Sequence, residues 1–236
     1  MITMKNKIKI IKIWYPAIVA LCIACVCCTG YDEYKKYMPN GEIIYPQKAD
    51  SVKTYPGRNR VLLEWVLVDP KVTSCIVTYE MGGIVQGSIT VPIQGRGDYV
   101  NDTIRCLIPD LEESTYMFKI VSYDDFGRAS LTVEAEESTY GEIYERSLLN
   151  RMVKNVLADE NGTPVLLEWY GAEYAEIGVD LHYTDVYGRN RSVFVDRSET
   201  STPIDDINQG DLLSYRTMYK PVPSAIDTFI RHSLII

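Results

Sequence analysis

Histidine is close to absent: His182 and His232 are the only two in a chain of 236 residues, and neither sits in an HxH or HExxH pattern. That removes the usual basis for a zinc site and leaves no metal site to assign. Basic charge is also short, with 24 Lys and Arg against 32 Asp and Glu. Four of those lysines, Lys5, Lys7, Lys9 and Lys12, fall in the first thirteen residues, so the remainder is more acidic than the formal −8 of the whole chain. A nucleic-acid partner needs a basic stripe that displaces phosphate counterions, so that class is disfavoured. There is no GxSxG, no P-loop and no GxGxxG, so no catalytic residue and no cofactor is assigned. Hydrophobic residues at 46% and charged residues at 24% describe a folded chain rather than a disordered one.

Long apolar runs are lacking too. Residues 13–28 carry no charge, yet a membrane-spanning helix needs about 20 apolar residues and this run is shorter and contains Pro16. Preceded by the basic residues 1–13, it reads as the n-region and h-region of a secretory signal. Four of the six cysteines close this segment: Cys22, Cys25, Cys27 and Cys28. A cysteine at the end of an h-region resembles a bacterial lipobox, in which that cysteine becomes the lipidated first residue. Cys28 leads into Thr-Gly-Tyr-Asp-Glu and is the first choice; Cys25, preceded by Ala24, is the alternative. Acyl chains would tether the protein to a membrane without spanning it. Asp32 and Glu33, just beyond, resemble the acidic export signal of surface lipoproteins of Bacteroidetes; a solvated acidic linker is the alternative.

What the chain has in strength is repetition. Val61-Leu62-Leu63-Glu64-Trp65 returns letter for letter as Val165-Leu166-Leu167-Glu168-Trp169. Each copy is followed by an alternating run, Cys75, Val77, Tyr79 and then Val179, Leu181, Tyr183, whose members share one face of a strand. Further strands are expected near 84–91, 99–108 and from Tyr116 through Phe118 and Ile120 in the first half, with Asp124-Asp125-Phe126-Gly127-Arg128 as the turn that follows. In the second half, 190–195, 212–219 and 225–231 are the expected strands. Ser147–Val156 is expected to form a short helical turn. Short strands with turn signals every 8–12 residues, roughly, predict an all-β sandwich architecture.

The pattern resembles tandem fibronectin type III-like (immunoglobulin-like) β-sandwiches. Trp65 and Trp169 match the strand-B tryptophan of that fold. Leu111 and Tyr116 match its Leu-x-x-x-x-Tyr step into strand F, whose hydroxyl would bond back to backbone. Asp211-Leu-Leu-Ser-Tyr215 only approximates that step in the second copy. The resulting organisation is a lipoprotein signal peptide at 1–27, a tether at 28–49, a first module at 50–137, a linker at 138–149 and a second module at 150–236. The chain as a whole resembles an uncharacterised family of Bacteroidetes lipoproteins, carried by GEIIYP (41–46), PGRNRVLLEWVLVDPKV (56–72), YGEIYERSLLNR (140–151) and SYRTMYKP with AIDTF (214–229). That resemblance implies an outer-membrane, surface-exposed address, a membrane partner through the lipid, and a non-enzymatic binding or accessory role in glycan capture or adhesion. A structural spacer that positions an outer-membrane protein is the alternative.

Candidate chemistry is sparse. Cys75 and Cys106 lie on core-facing positions and are either a disulfide across the sandwich or two packed thiols. Asp124-Asp125, Asp205-Asp206 and Asp211 are turn residues without a calcium-loop spacing. The string Gly-Arg-Asn-Arg occurs at 57–60 and again at 188–191 and is read as coincidence in loops. Eighteen tyrosines invite a glycan-stacking surface: Tyr170, Tyr174, Tyr187 and Tyr219 are the candidate ligand aromatics, with a scatter of unconnected surface tyrosines as the alternative. The repeat itself makes a testable claim. Trp65→Ala and Trp169→Ala should each cost about 3–5 kcal/mol as core truncations; unaltered melting of either variant would place that tryptophan outside a core.

Overall fold

Strict alternation builds the strands that matter most. In β2 (Arg60–Leu67) every second side chain, Val61, Leu63, Trp65 and Leu67, is fully buried, as period-two geometry requires when one sheet face is covered. The computed structural model describes residues 45–93 and 102–236. The signal segment, both lipidation candidates Cys28 and Cys25, Tyr31, Tyr34, Tyr37 and Gly95-Arg96-Gly97 lie outside those residues.

In the first half β1 (Asp50–Gly57), β2 and β5 (Asp102–Ile108) form one antiparallel sheet in the order β1-β2-β5. The facing sheet runs β4-β3-β6-β7, from β3 (Val72–Met81), β4 (Ile84–Pro92), β6 (Thr115–Asp124) and β7 (Val133–Ser138). The second half repeats the plan. β8 (Val153–Ala158), β9 (Pro164–Trp169) and β12 (Ser201–Pro203) make a sheet in the order β12-β9-β8. β10 (Glu176–Thr184), β11 (Asn190–Asp196), β13 (Ser214–Tyr219) and β14 (Phe229–Ile230) make the other, with β15 (Leu234–Ile235) also on β13. Both halves are all-β sandwiches with the strand order of fibronectin type III domains, and the repeated pentapeptide supplies the central strand of the three-stranded sheet in each.

The cores follow the alternation. Leu63, Trp65, Cys75, Val77, Phe118 and Ile120 meet in the first; Leu167, Trp169, Val179, Leu181 and Tyr215 meet in the second. The two tryptophans differ in one respect. Trp169 Nε1 donates to Thr202 Oγ1 at 2.9 Å, whereas Trp65 Nε1 is buried without a hydrogen-bond partner. Leu111 and Tyr116, the two residues of the expected step, are both buried in the first core. The approximate second corner is not one: Tyr215 donates to Arg151 O at 2.8 Å, far away in sequence.

Several boundaries differ from expectation. The helical segment is α1 (Glu142–Ser147), earlier than 147–156, and Val153–Ala158 is a strand whose sequence, VKNVLA, lacks clean alternation. Of 225–231, only Phe229–Ile230 is strand. The preceding residues are drawn off toward the first sandwich, where Ile226 N donates to Pro56 O at 2.8 Å.

That contact belongs to a junction within the unit Pro46–Ile236. The β1–β2 turn is Gly57-Arg58-Asn59-Arg60. Arg60 holds the Asp227 carboxylate with Nε at 2.9 Å and with a second bond from Nη2, while Arg58 N donates to Asp227 Oδ2 at 2.8 Å. The Arg58 guanidinium grips Glu145 on α1 through two bonds of 2.7 and 2.9 Å and lies 4.8 Å from the Phe229 ring centre. Tyr140, Tyr144 and Phe229 pack edge to face beneath it, at centroid distances of 5.0 to 6.1 Å. Gly57 is required here, because a Cβ would stand 2.5 Å from Asp227 Oδ2 and 2.8 Å from Ile226 Cγ1. The two copies of Gly-Arg-Asn-Arg do different work, in keeping with a chance recurrence, although neither copy is idle. At 57–60 its two arginines clamp the junction; at 188–191 Arg189 and Arg191 both reach buried Asp185.

The hydrogen bond from Arg60 holds the Asp227 carboxyl below its ordinary range, and that from Arg58 does the same for Glu145. Carboxyls depressed in the folded state contribute stability that is complete above their unfolded values and lost as pH falls through the folded ones. One cooperative thermal transition is expected at pH 7, separating into two at about pH 3, below the ordinary carboxyl range. Asp227→Asn should show the separation already at pH 7. Calorimetry checks both, and coupling that ignored both acid and the substitution would contradict this account of the junction.

Candidate functional site

The side chains available for recognition gather where strands end, because the strands themselves are occupied by packing. At one end of the second sandwich, the loop before β10, the β11–β12 turn and the start of the β13–β14 loop enclose an open cleft of about 250 Å³. Tyr174, Ala175, Ile177, Pro221 and Pro223 give it apolar walls. Arg197 and Lys220 supply two cations, and Glu176 lies beneath them without solvent exposure.

Glu176 opens β10 and is completely buried, as is its neighbour Arg151 to within 3%. The pairing is incomplete. Arg151 Nε donates to Tyr170 O at 2.8 Å and Nη2 donates to Glu199 O at 2.7 Å and Arg197 O at 3.3 Å. Its guanidinium also faces the Trp169 ring, 6.0 Å from the centre. With the guanidinium spent on carbonyls, Arg151 Nη1 stands 3.7 Å from Glu176 Oε1, an ion pair without a hydrogen bond. Glu176 Oε2 accepts from Glu173 N at 3.1 Å; Oε1 has no hydrogen-bond partner. Burial pushes the Glu176 carboxyl up, since a desolvated carboxylate favours its neutral form.

The four candidate tyrosines are not brought together. Tyr174, 84% exposed, forms a cleft wall. Tyr170 is half exposed at the end of β9 and does not line the cleft. Tyr187 sits on the β10–β11 turn with the Arg189 guanidinium 4.8 Å over its ring. Tyr219 is a correction: it is buried, its hydroxyl donates to Leu149 O at 2.6 Å, and burial together with the nearby Glu176 charge pushes its phenol up to about 12. Its place in β13 points it inward with Tyr215, a parity that the alternation of SYRTMY already carried.

Of the two alternatives for Cys75 and Cys106, the structure holds two buried thiols rather than a bridge. Cys75 Sγ lies 3.6 Å from Ser122 Oγ, and burial pushes the Cys106 thiol up to about 11. A thiol so raised is a poor nucleophile at neutral pH. His182 faces outward and pairs with Asp180 at 2.9 Å. Among the described residues no group of three or more His, Cys, Asp or Glu is placed to hold a metal ion, and no helix is long and apolar enough to cross a membrane.

Sequence reasoning gave no role to Glu176, Arg151, Arg197 or Lys220, although Arg151 and Lys220 lie in the segments that carry the family resemblance. It also missed a legible repeat, Asp-x-aromatic-Gly-Arg, at 124–128 and 185–189. In each, the Asp Oδ1 accepts from the aromatic N and the Arg N at 2.9 to 3.0 Å, and the Arg guanidinium pairs with the same carboxylate while stacking on the aromatic ring. Gly127 and Gly188 hold the positive φ that closes the turn. This leaves Phe126 and Tyr187 as exposed, braced aromatic tips.

Comparison with known proteins gives three results. A family described as a domain of unknown function, DUF4998, matches residues 27–229. The chain is similar to a two-domain fibronectin type III segment from chicken tenascin, with 13% identity, 80% of this chain and 98% of that one covered, and a TM-score of 0.34. It is also similar to the FN1–FN3 domains of chicken CNTN1, with 15% identity, 81% and 68% covered, and a TM-score of 0.41. No curated protein matches.

Arg151 is the hub that the cleft floor is built on. Arg151→Ala should destabilise the fold by about 3–5 kcal/mol, because it leaves the Glu176 charge buried and several carbonyls without donors. Urea denaturation reads this directly; a loss below about 1 kcal/mol, the scale of an exposed ion pair, would mean that the buried network is not what holds the loops.

Proposed function

We propose that this chain, which belongs to the DUF4998 family, is a non-enzymatic lipoprotein of the outer membrane, exposed at the cell surface, that acts as a binding and accessory module for glycan capture or adhesion. The observation that carries the reading is the cleft at the end of the second sandwich. It combines an exposed aromatic, apolar walls and two cations, the composition of a recognition site. It presents no pair of facing carboxylates of the kind glycoside cleavage uses, which supports binding over hydrolysis. The anchor rests on the basic and apolar residues 1–28 and on Cys28 or Cys25, and the modules on 50–137 and 150–236.

A second reading is favoured by the junction. Arg58 and Arg60 tie Glu145 and Asp227 across the two sandwiches, which suits a spacer that sets the position of an outer-membrane partner. One paired experiment separates the two. The full-length chain in detergent is applied to a glycan array and, separately, recovered from crosslinked membranes. A saturable glycan signal lost on Tyr174→Ala supports capture. A blank array with one stoichiometric outer-membrane protein supports the spacer. Release of the chain into the soluble fraction after Cys25 and Cys28 are both changed to Ser is expected on either reading, and retention on the membrane would remove the lipid anchor from the proposal.

A further inference from the structure

The chain enters the first sandwich at one pole, and Gln47 fixes the point of entry. Gln47 Oε1 accepts from Val68 N at 3.1 Å and from Asp69 N at 2.9 Å, and Gln47 N donates to Asp69 Oδ2 at 3.2 Å. Ala49, two residues on, is buried in the first core. The incoming segment is thereby pinned to the β2–β3 turn. Val72 pairs with Asp124, so the β6–β7 turn stands beside it. The junction with the second sandwich is at the other end of β2, which runs from Arg60 to Leu67, a span of about 24 Å at the rise of a strand.

Large apolar side chains are exposed at the entry pole. Phe126 is 82% exposed, Leu131 76% and Val68 48%. Phe126 is held there by its turn: Phe126 N and Arg128 N donate to Asp124 Oδ1 at 3.0 and 2.9 Å, and the Arg128 guanidinium, paired with Asp124, lies 4.9 Å from the ring centre. A turn built to hold a phenylalanine in water forgoes the free energy of burying it, which an apolar contact would recover. Within 46–49, 68–71 and 124–132 the charges balance, three against three: Lys48, Lys71 and Arg128 with Asp69, Asp124 and Asp125. A partner selected by charge has little to read here. An apolar medium bordered by water does, since aromatic and aliphatic side chains enter it while lysine and arginine stems reach back to the water side. The chain itself brings such a medium near. Only the seventeen residues 29–45 separate Cys28 from Pro46, and a chain of that length reaches at most about 60 Å at full extension and about 25 Å as a flexible coil. A lipid on Cys28 therefore draws this pole, and not the second sandwich at the far end, toward the bilayer.

We infer that the entry pole of the first sandwich is a membrane-contact surface, with Phe126 and Leu131 entering the boundary between headgroups and acyl chains and Lys48, Lys71 and Arg128 at the level of the headgroups. The inference rests on the lipid-anchor reading for what brings the bilayer near. It adds a second point of attachment on the fold itself, and two signals are what stable anchoring takes.

The test is fluorescence quenching by brominated phosphatidylcholine. The full-length chain carries Cys25→Ser, Cys28→Ser and an N-terminal hexahistidine tag, and is held on phosphatidylcholine vesicles containing a nickel-chelating lipid, so that the pole meets a bilayer whatever the state of the native anchor. The chain without further substitution sets the baseline, with Trp65 and Trp169 buried. Phe126→Trp should add emission that shifts to the blue on the vesicles and is lost when bromine lies in the upper acyl chain, and Leu131→Trp should behave alike. Tyr187→Trp, on the same arginine-braced turn in the second sandwich, should add emission that brominated lipid leaves unchanged. High salt should leave the quenching in place, because the charges of the pole balance. Phe126→Asp should abolish the quenching of Leu131→Trp at an unchanged melting temperature. Emission from Phe126→Trp that bromine does not touch, equal quenching of Phe126→Trp and Tyr187→Trp, or quenching that salt removes would each overturn the inference. So would a blue shift of Phe126→Trp that needs outer-membrane proteins in the vesicles, since it gives the pole to a protein partner. The anchor is judged apart from this, by release of the untagged Cys25→Ser, Cys28→Ser chain from cells; the vesicle result decides the pole whichever way that goes.

Discussion

Withdrawal of Trp65 and Trp169 from water is the constraint on which the rest of this molecule depends. Each is the end of a run in which alternate side chains point into a core, and each occupies the central strand of a three-stranded sheet. A central strand must be paired on both edges and covered on one face. The neighbouring strands, the four-stranded sheet opposite and the loops between them are all consequences of meeting those demands. The burden is not identical in the two halves. Trp169 has Thr202 as hydrogen-bond acceptor, Tyr215 edge-on at 5.2 Å and Arg151 over its face, so the second core ends in a polar network that the first does not have.

That network is what turns the end of the second sandwich into a site. Arg151 spends its donors on carbonyls of the loops at Tyr170, Arg197 and Glu199. In doing so it fixes the loops that form the cleft and leaves Glu176 with an acceptor unfilled. At the junction the opposite holds. Asp227 receives three hydrogen bonds and Glu145 two, and those carboxylates are stable as charges. One chain thus contains a fully hydrogen-bonded set of acids at the junction and, in the second sandwich, a buried acid held chiefly by an ion pair.

Legibility in the sequence tracks how local the cause is. The strands β2, β3, β6, β9 and β10 were visible because alternation is written in neighbouring residues, and so was the burial of Leu111 and Tyr116 at the step into β6. β8 was misjudged because VKNVLA does not alternate and is held by its partner β9 rather than by its own pattern. β12, three residues long and ending in Pro203, has no pattern to show. Tyr219 was misplaced because a tyrosine count does not say which face a residue takes, although its parity with Tyr215 did. The contacts of the Gly-Arg-Asn-Arg string at 57–60 were not legible, since the acids it binds, Glu145 and Asp227, lie about 90 and 170 positions from it.

The amino-acid order by itself determined that this is an all-β chain with two sandwiches of one plan, since a period of two and a repeated strand are properties of adjacent residues. It carries no motif for histidine-metal or phosphate-loop chemistry. Only the tertiary structure decided that three distant segments close into a junction, and that Glu176, Arg197, Lys220 and Tyr174 share one cleft. The physical reason is range. Side-chain alternation and turn chemistry act over a few residues of backbone, whereas ion pairing and desolvation act through space, between groups that only the folded chain brings within a few ångströms of each other.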